Sequence, residues 1–302
     1  MIPADGTWHG VTTTGAGSAA VAGLLTGSPR PLSVLAAFPA AAYLAHDGGV
    51  LALVSADGVH HPNAVVLTTT TAARPLSTFH GGEQGRVGGG ALEVGALRVT
   101  VARWFDPVPR LRATPPALLA EKLDAARSHV LARTGADGHD LSAPTRQVVD
   151  ALLAGDAERA VTAAHTLVGA GPGLTPAGDD VLAGLVAAVV TLGPAVAPST
   201  ATAVAAVGRA GDDIVAHART ATTAVSAELL RHAVRGEVAA PAAAVLHALT
   251  GRRPAVPALD ELLLVGATSG RDLAYGLLTG AALVLSAADG RSHLATTSTG
   301  AL

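Results

Sequence analysis

Three carboxylates sit where this otherwise aliphatic chain has little reason to place charge. Asp179 and Asp180 end the string Gly171-Pro-Gly-Leu-Thr-Pro-Ala-Gly-Asp-Asp180, and Asp272 ends Gly266-Ala-Thr-Ser-Gly-Arg-Asp272. Both strings run on into long apolar stretches, and both contain Gly-x-Asp-x-x-x-Gly-Leu, at 178–185 and again at 270–277. A glycine-rich turn feeding a helix start aims free backbone N–H groups and the positive end of the helix dipole at one spot, which suits an anion. Carboxylates at the same spot suit the opposite partner: a substrate N–H, a proton in transfer, or Mg²⁺ held through waters. Asp179, Asp180 and Asp272 are therefore the catalytic candidates. They are also the metal candidates, with Mg²⁺ the one cofactor they suggest.

The binding candidates surround these acids. Gly171, Gly173, Thr175 and Gly178 precede the first pair, and Thr268, Ser269 and Gly270 precede Asp272. A third polar island, His217-Ala-Arg-Thr-Ala-Thr-Thr-Ala-Val-Ser226, puts Arg219, Thr223 and Ser226 on one face at helical spacing. Arg219 there is suited to grip a phosphate or carboxylate with two parallel hydrogen bonds. Each island has a plainer reading. Thr175-Pro176 fits a helix N-cap followed by a first-turn proline. Ser269 with Asp272 has the form of a capping box, and the 217–226 island could be a solvated face. Two adjacent acids behind three glycines exceed what capping requires.

Other polar features carry less. His60-His-Pro-Asn63 reads as a turn before a strand, since neighbours on a strand face opposite ways and cannot chelate together. Gly15-Ala-Gly-Ser lacks the third glycine of a dinucleotide loop, and His80 lies beside two glycines in a loop composition. There is no cysteine, which excludes disulfides, thiolate metal sites and cysteine nucleophiles. A formal net charge of −3 gives no electrostatic case for nucleic acid or an anionic membrane.

The elements that must hold these residues change character along the chain. Residues 1–110 read as a small β-rich domain, with strands near 50–55, 63–69 and 91–103, the last broken at Gly95, and a glycine-rich loop at 79–90. Residues 111–288 read as helices: 116–134 closing at Gly135, 144–154, 156–168 with Asp156 as N-cap, 176–192, 199–222 with a break near Gly211, 223–234, 240–249, 259–265 and 269–287. Residues 136–140 read as a loop and 289–302 as a loose tail. The fold class expected is thus α+β. The apolar stretches 181–197 and 273–288 begin beside aspartates and are short for membrane spans, so they read as buried core helices. Met1-Ile-Pro-Ala-Asp5 lacks the basic and apolar regions of a signal peptide, which points to the cytoplasm. Gly184 and Gly276 would let the two rhyming helices pack side by side with their starts at one pocket.

In order and spacing, Gly173-Leu-Thr-Pro-Ala-Gly-Asp-Asp180, Ser226-Ala-Glu-Leu-Leu-Arg-His-Ala-Val-Arg-Gly236 and Gly266-Ala-Thr-Ser-Gly-Arg-Asp272 resemble the AllH-like family, formerly a domain of unknown function. The resemblance extends weakly to the segment from Pro31 through Asn63, and Ala177 and Ala267 depart from the family's usual residues. It implies a subunit of a bacterial oxamate carbamoyltransferase in allantoin and purine catabolism. The reaction implied joins oxamate and carbamoyl phosphate to give oxalurate and phosphate, or runs in reverse. It also implies partner subunits, an FdrA-type chain among them, and a small anionic substrate. Two other readings stay open from the residues alone: a non-catalytic structural subunit, and a stand-alone Asp/Mg²⁺ hydrolase with a helical core.

Overall fold

In a computed structural model the described residues are 10–135 and 140–289. The chain divides into two compact units at Pro107/Val108. The class is α+β, a β-barrel at the N-terminus followed by a helical part. Most of the expected 136–140 loop, the N-terminal nine residues and the tail from 290 lie outside the described residues.

Among the described residues the first unit is an eight-stranded closed barrel: β1 (Val11–Ser18), β2 (Arg30–Ala37), β3 (Ala41–His46), β4 (Gly49–Val54), β5 (Ala64–Leu67), β6 (Gln84–Gly88), β7 (Ala91–Val94) and β8 (Leu97–Phe105). A short helix, α1 (Ala22–Thr26), follows β1. Around the barrel the order is β1-β5-β4-β3-β2-β6-β7-β8, with β1–β8 and β4–β5 parallel. Leu32, Val34, Leu44, Leu51, Leu53, Val65, Leu67, Val87, Leu92 and Val99 fill one core. Ala52, Val54, Ala64 and Val66 form a second cluster on the other face of β4 and β5. Burial on both faces explains why these two strands are continuous apolar runs rather than alternating ones.

One expectation changes here. The glycine-rich stretch 79–90 is not all loop, because β6 runs through it and pairs with β2 and β7. A Cβ on Gly85 would lie 2.2 Å from the Glu93 carbonyl oxygen, so glycine is what lets this strand close the barrel. The Gly15-Ala-Gly segment lies in strand β1, consistent with its lacking a dinucleotide-loop pattern. The break at Gly95 is a hairpin, with β7 and β8 paired on either side of it and Gly95 at φ +55°.

The second unit contains α2 (Pro116–Thr134), α3 (Ser142–Leu153), α4 (Ala157–His165), α5 (Ala177–Val196), α6 (Ala201–Ala221), α7 (Ala224–Ala233), α8 (Ala240–Leu249), α9 (Ala255–Leu263) and α10 (Ser269–Asp289). Gly135 ends α2 in the left-handed region, and Asp156 caps α4 by accepting from the Arg159 N–H. The expected break at Gly211 is absent; α6 is continuous, and Gly211 is buried against Val234. The helices α5 and α10 are long and apolar enough to cross a membrane by length and composition. Both are mostly buried inside the helical core, which is why they are apolar all round.

Candidate functional site

The sequence rhyme is a structural repeat. A nine-residue helix, a turn and a long helix occur twice, as α4–α5 and as α9–α10. The Gly178 N–H donates to the Ala170 carbonyl at 2.8 Å, and the Gly270 N–H to the Val265 carbonyl at 2.9 Å. A Cβ on Gly178 would lie 2.0 Å from the Leu167 oxygen, and one on Gly270 would lie 2.0 Å from the Leu262 oxygen. Gly171 and Gly266 follow those turns with φ +112° and +61°. The first copy has the longer loop, and Gly173 and Thr175 lie in it.

The long helices run parallel and interlock through glycine. A Cβ on Gly184 would fall 2.4 Å from the Leu273 oxygen and 2.8 Å from the Leu277 nitrogen. One on Gly276 would fall 2.1 Å from the Val181 oxygen and 3.0 Å from the Leu185 nitrogen. Each glycine meets the counterparts of the residues that meet the other, so the two copies are related by an approximate two-fold exchange. With no side chains at the crossing, backbone meets backbone, and the two helix starts are held together.

At those starts the Thr175 Oγ1 and Ser269 Oγ lie 2.7 Å apart. Thr175 is therefore not the N-cap of α5; Pro176 takes that position and the helix has no side-chain cap. Ser269 is the first residue of α10, and its hydroxyl is turned to the other helix rather than closing a capping box. Thr268 supplies the carbonyl that accepts the Arg271 and Asp272 N–H groups. Behind the hydroxyl pair, Asp180 is 8% exposed and Asp272 is fully buried. Asp180 Oδ2 is buried with no hydrogen-bond partner among the described residues. Burial drives its carboxyl from 3.8 to about 7, against the easing effect of the Ser269 and Thr175 hydroxyls and with the charges of Asp272 and Asp179 adding to the rise. Asp272 accepts from Arg271 Nε at 3.4 Å.

Asp179 is differently placed. Its Oδ1 accepts the Gly169 N–H at 2.9 Å, and its Oδ2 accepts the Thr222 hydroxyl at 2.5 Å. Burial raises its carboxyl pKa, opposed by Thr222, Gly169 and the neighbouring Ser226. Thr223 caps α7 by accepting the Ser226 N–H at 3.1 Å and donates its own hydroxyl proton to the Leu174 carbonyl at 2.6 Å. Asp179, Thr222 and Thr223 thus pin the glycine-rich loop to the α6–α7 turn. Thr222→Val should cost about 1–3 kcal/mol, the scale of a buried hydrogen bond to a charged group. Amide hydrogen exchange should show the loss as faster exchange over residues 169–175; unchanged exchange there would remove the pin.

The expected shared face of Arg219, Thr223 and Ser226 is not formed on one helix. The helix α6 ends at Ala221, and Thr223 begins α7, so helical spacing does not carry across. Thr223 and Ser226 reach the Asp179 side of the site; Arg219 is exposed in the last turn of α6. The Ser226 side chain is buried, and its hydroxyl oxygen has no hydrogen-bond partner among the described residues. No group of three or more His, Asp or Glu residues among those described is arranged to hold a metal ion.

One charged cluster escaped the sequence reading. His232, fully buried, lies with Nδ1 2.5 Å from Glu237 Oε2 and Nε2 3.3 Å from Glu228 Oε1. Arg231 pairs with Glu228 through Nε at 3.0 Å and through Nη2. The signal was present as Glu228 followed by Arg231 and His232 at helical contact spacing. Burial pulls His232 down, but hydrogen bonds to Glu228 and Glu237 outweigh it and leave its pKa above 6.5. Burial pushes Glu228 up, and His232 and Arg231 reverse this, from 4.5 to about 2. His232 therefore contributes stability in full below its unfolded pKa and loses it as pH rises through the folded value; Glu228 contributes above 4.5 and loses it as pH falls towards about 2. Thermal unfolding followed from about pH 6 to about pH 9 should show wild type losing more stability than His232→Gln. Parallel curves would contradict the raised His232.

The barrel histidines serve separate neighbours. His61 Nε2 lies 3.4 Å from the Tyr43 hydroxyl, and its burial lowers it to about 4. His60 lies against Phe105, with ring centroids 6.1 Å apart.

Residues 167–281 match the family described as oxamate carbamoyltransferase subunit AllH. No curated protein and no solved structure matches the chain. The matched residues run from the turn after α4 through the α10 glycines and include every candidate site residue. That match supports the resemblance to the AllH-like family over these residues.

Proposed function

We propose that this chain is the AllH-type subunit of a carbamoyltransferase and that the paired starts of α5 and α10 hold its amide-bearing substrate. One observation carries the reading: Asp180, 8% exposed, keeps a buried carboxylate oxygen without a partner beside the Thr175 and Ser269 hydroxyls. A buried carboxylate normally loses its charge or gains hydrogen bonds, so an unmatched acceptor at a helix start suits a ligand N–H. In the reaction the amide nitrogen of oxamate bonds to the carbamoyl carbon, the carbon–oxygen bond to phosphate breaks, and phosphate leaves with the electron pair. The nitrogen must shed a proton. Asp180, with its carboxyl near 7, is ionised enough at neutral pH to take that proton and basic enough to hold it. Asp179 holds the loop. The positive ends of the two helix dipoles favour the negative end of the ligand.

An FdrA-type chain and further subunits complete the assembly in this reading, which places it in the cytoplasm with allantoin breakdown. Co-expression with the FdrA-type chain, purification of the complex, and measurement of phosphate released from carbamoyl phosphate only when oxamate is present test it directly. A complex that forms and turns over, but keeps full activity with Asp180→Asn, would instead make this chain a structural subunit.

A further inference from the structure

The two copies of the repeat are alike in backbone and unlike in charge. The interlocking glycines fix the correspondence: Gly178 with Gly270, and Gly184 with Gly276. Asp180 then corresponds to Asp272, and Asp179 to Arg271. The first copy presents two acids at its helix start; the second presents one acid and one guanidinium. Arg271 Nε reaches Asp272 Oδ1 at only 3.4 Å, and its side chain is 49% exposed while that of Asp272 is 1% exposed. Arg271 is thus held weakly at one nitrogen and half-exposed in the first turn of α10. On the other side stands a buried group with an unmatched atom, Asp180 Oδ2. One half is therefore built to receive N–H and the other to receive an anion.

We propose that Arg271 is the anion-recognising residue of this site, and that it orients a short planar ligand with its carboxylate at the start of α10 and its amide N–H at Asp180. This rests on the reading of the paired starts as the substrate site. Guanidinium and carboxylate are matched in shape for two parallel hydrogen bonds, and the positive end of α10 adds to the attraction. A ligand with two carboxylates would set one against Asp180; a ligand with two amides would leave Arg271 without its anion. The pseudo-symmetric frame with unlike halves consequently selects a molecule with one end of each kind.

Three probes of one shape separate the halves: oxamate with one carboxylate and one amide, oxalate with two carboxylates, and oxamide with two amides. Binding is measured by calorimetry on the full chain, alone and in the complex with its partner subunits. Wild type should bind oxamate more tightly than either symmetric probe. Arg271→Gln should weaken oxamate by about tenfold or more, the scale of a charge-assisted hydrogen bond, and leave oxamide nearly unchanged. Asp180→Asn should narrow the preference for oxamate over oxalate. Arg271→Lys should recover part of the oxamate affinity, because it restores the charge without the fork. If Arg271→Gln binds oxamate as wild type does, or if the preference is lost in Arg219→Gln instead, the orientation is overturned while the substrate site stands. If the complex turns over but Asp180→Asn and Arg271→Gln both bind every probe as wild type does, the site itself lies elsewhere and both readings fall.

Discussion

Replacing Asp180 by Asn is expected to make the protein more stable above neutral pH and its complex nearly inactive. The stability side follows from linkage. The folded carboxyl sits at about 7 rather than 3.8, so the folded state holds a proton that the unfolded chain releases between those values. Stability then falls as pH rises through that window and stays low above it. At about 1.4 kcal/mol per pH unit the difference amounts to about 4 kcal/mol, as an order of magnitude. Asn does not titrate, so the variant should unfold at a higher temperature than wild type at about pH 8, with the gap closing towards about pH 4. Turnover in the complex should drop by about a hundredfold or more, the scale of a lost transition-state contact. A gain of stability with a loss of activity marks a group kept for chemistry at the expense of the fold. A less stable variant at about pH 8 would mean that Asp180 is a structural charge with partners of its own.

Gly276→Ala should be severely damaging to the helical unit. The new methyl would lie 2.1 Å from the Val181 carbonyl oxygen, and in Gly184→Ala it would lie 2.4 Å from that of Leu273. Overpacking against side chains costs about 1–3 kcal/mol because they can move. Here the obstacle is the backbone of a buried helix, which can yield only if the two helices part. The expected loss is at least about 3 kcal/mol for either variant, read as a lower denaturation midpoint. Gly208→Ala on α6 is the internal comparison. No atom lies within 4 Å of its Cβ position, and alanine there should stabilise by about 0.5–1 kcal/mol through helix propensity alone. Similar losses at all three positions would refute the close crossing as the cause. Parting the helices would also separate Thr175 from Ser269, so activity should vanish at the two crossing positions under conditions where the chain still folds.

Local rules carried some of this from the sequence alone. The α+β class, the run of helices after the barrel, the Asp156 cap, the Gly135 stop and the break at Gly95 all depend on a few neighbouring residues, and those residues state them directly. The repeated Gly-x-Asp-x-x-x-Gly-Leu also marked where two helices begin alike, because a glycine needed for close approach leaves a trace at a fixed spacing. What tertiary structure decided is the use made of each polar group. Thr175 and Ser269 have the local signature of caps, yet their hydroxyls meet each other across 94 residues of chain. Asp179 and Asp180 are adjacent, yet one is spent on the Gly169 N–H and the Thr222 hydroxyl while the other keeps an unmatched oxygen. The barrel likewise hid β6 in a glycine-rich stretch, since only its neighbours on both sides supply the pairing that glycine by itself disfavours. A hydrogen bond or a desolvation cost depends on which groups meet in space, and neighbours along the chain do not fix that; it was settled here by two helices brought close enough at Gly184 and Gly276 to place their starts side by side.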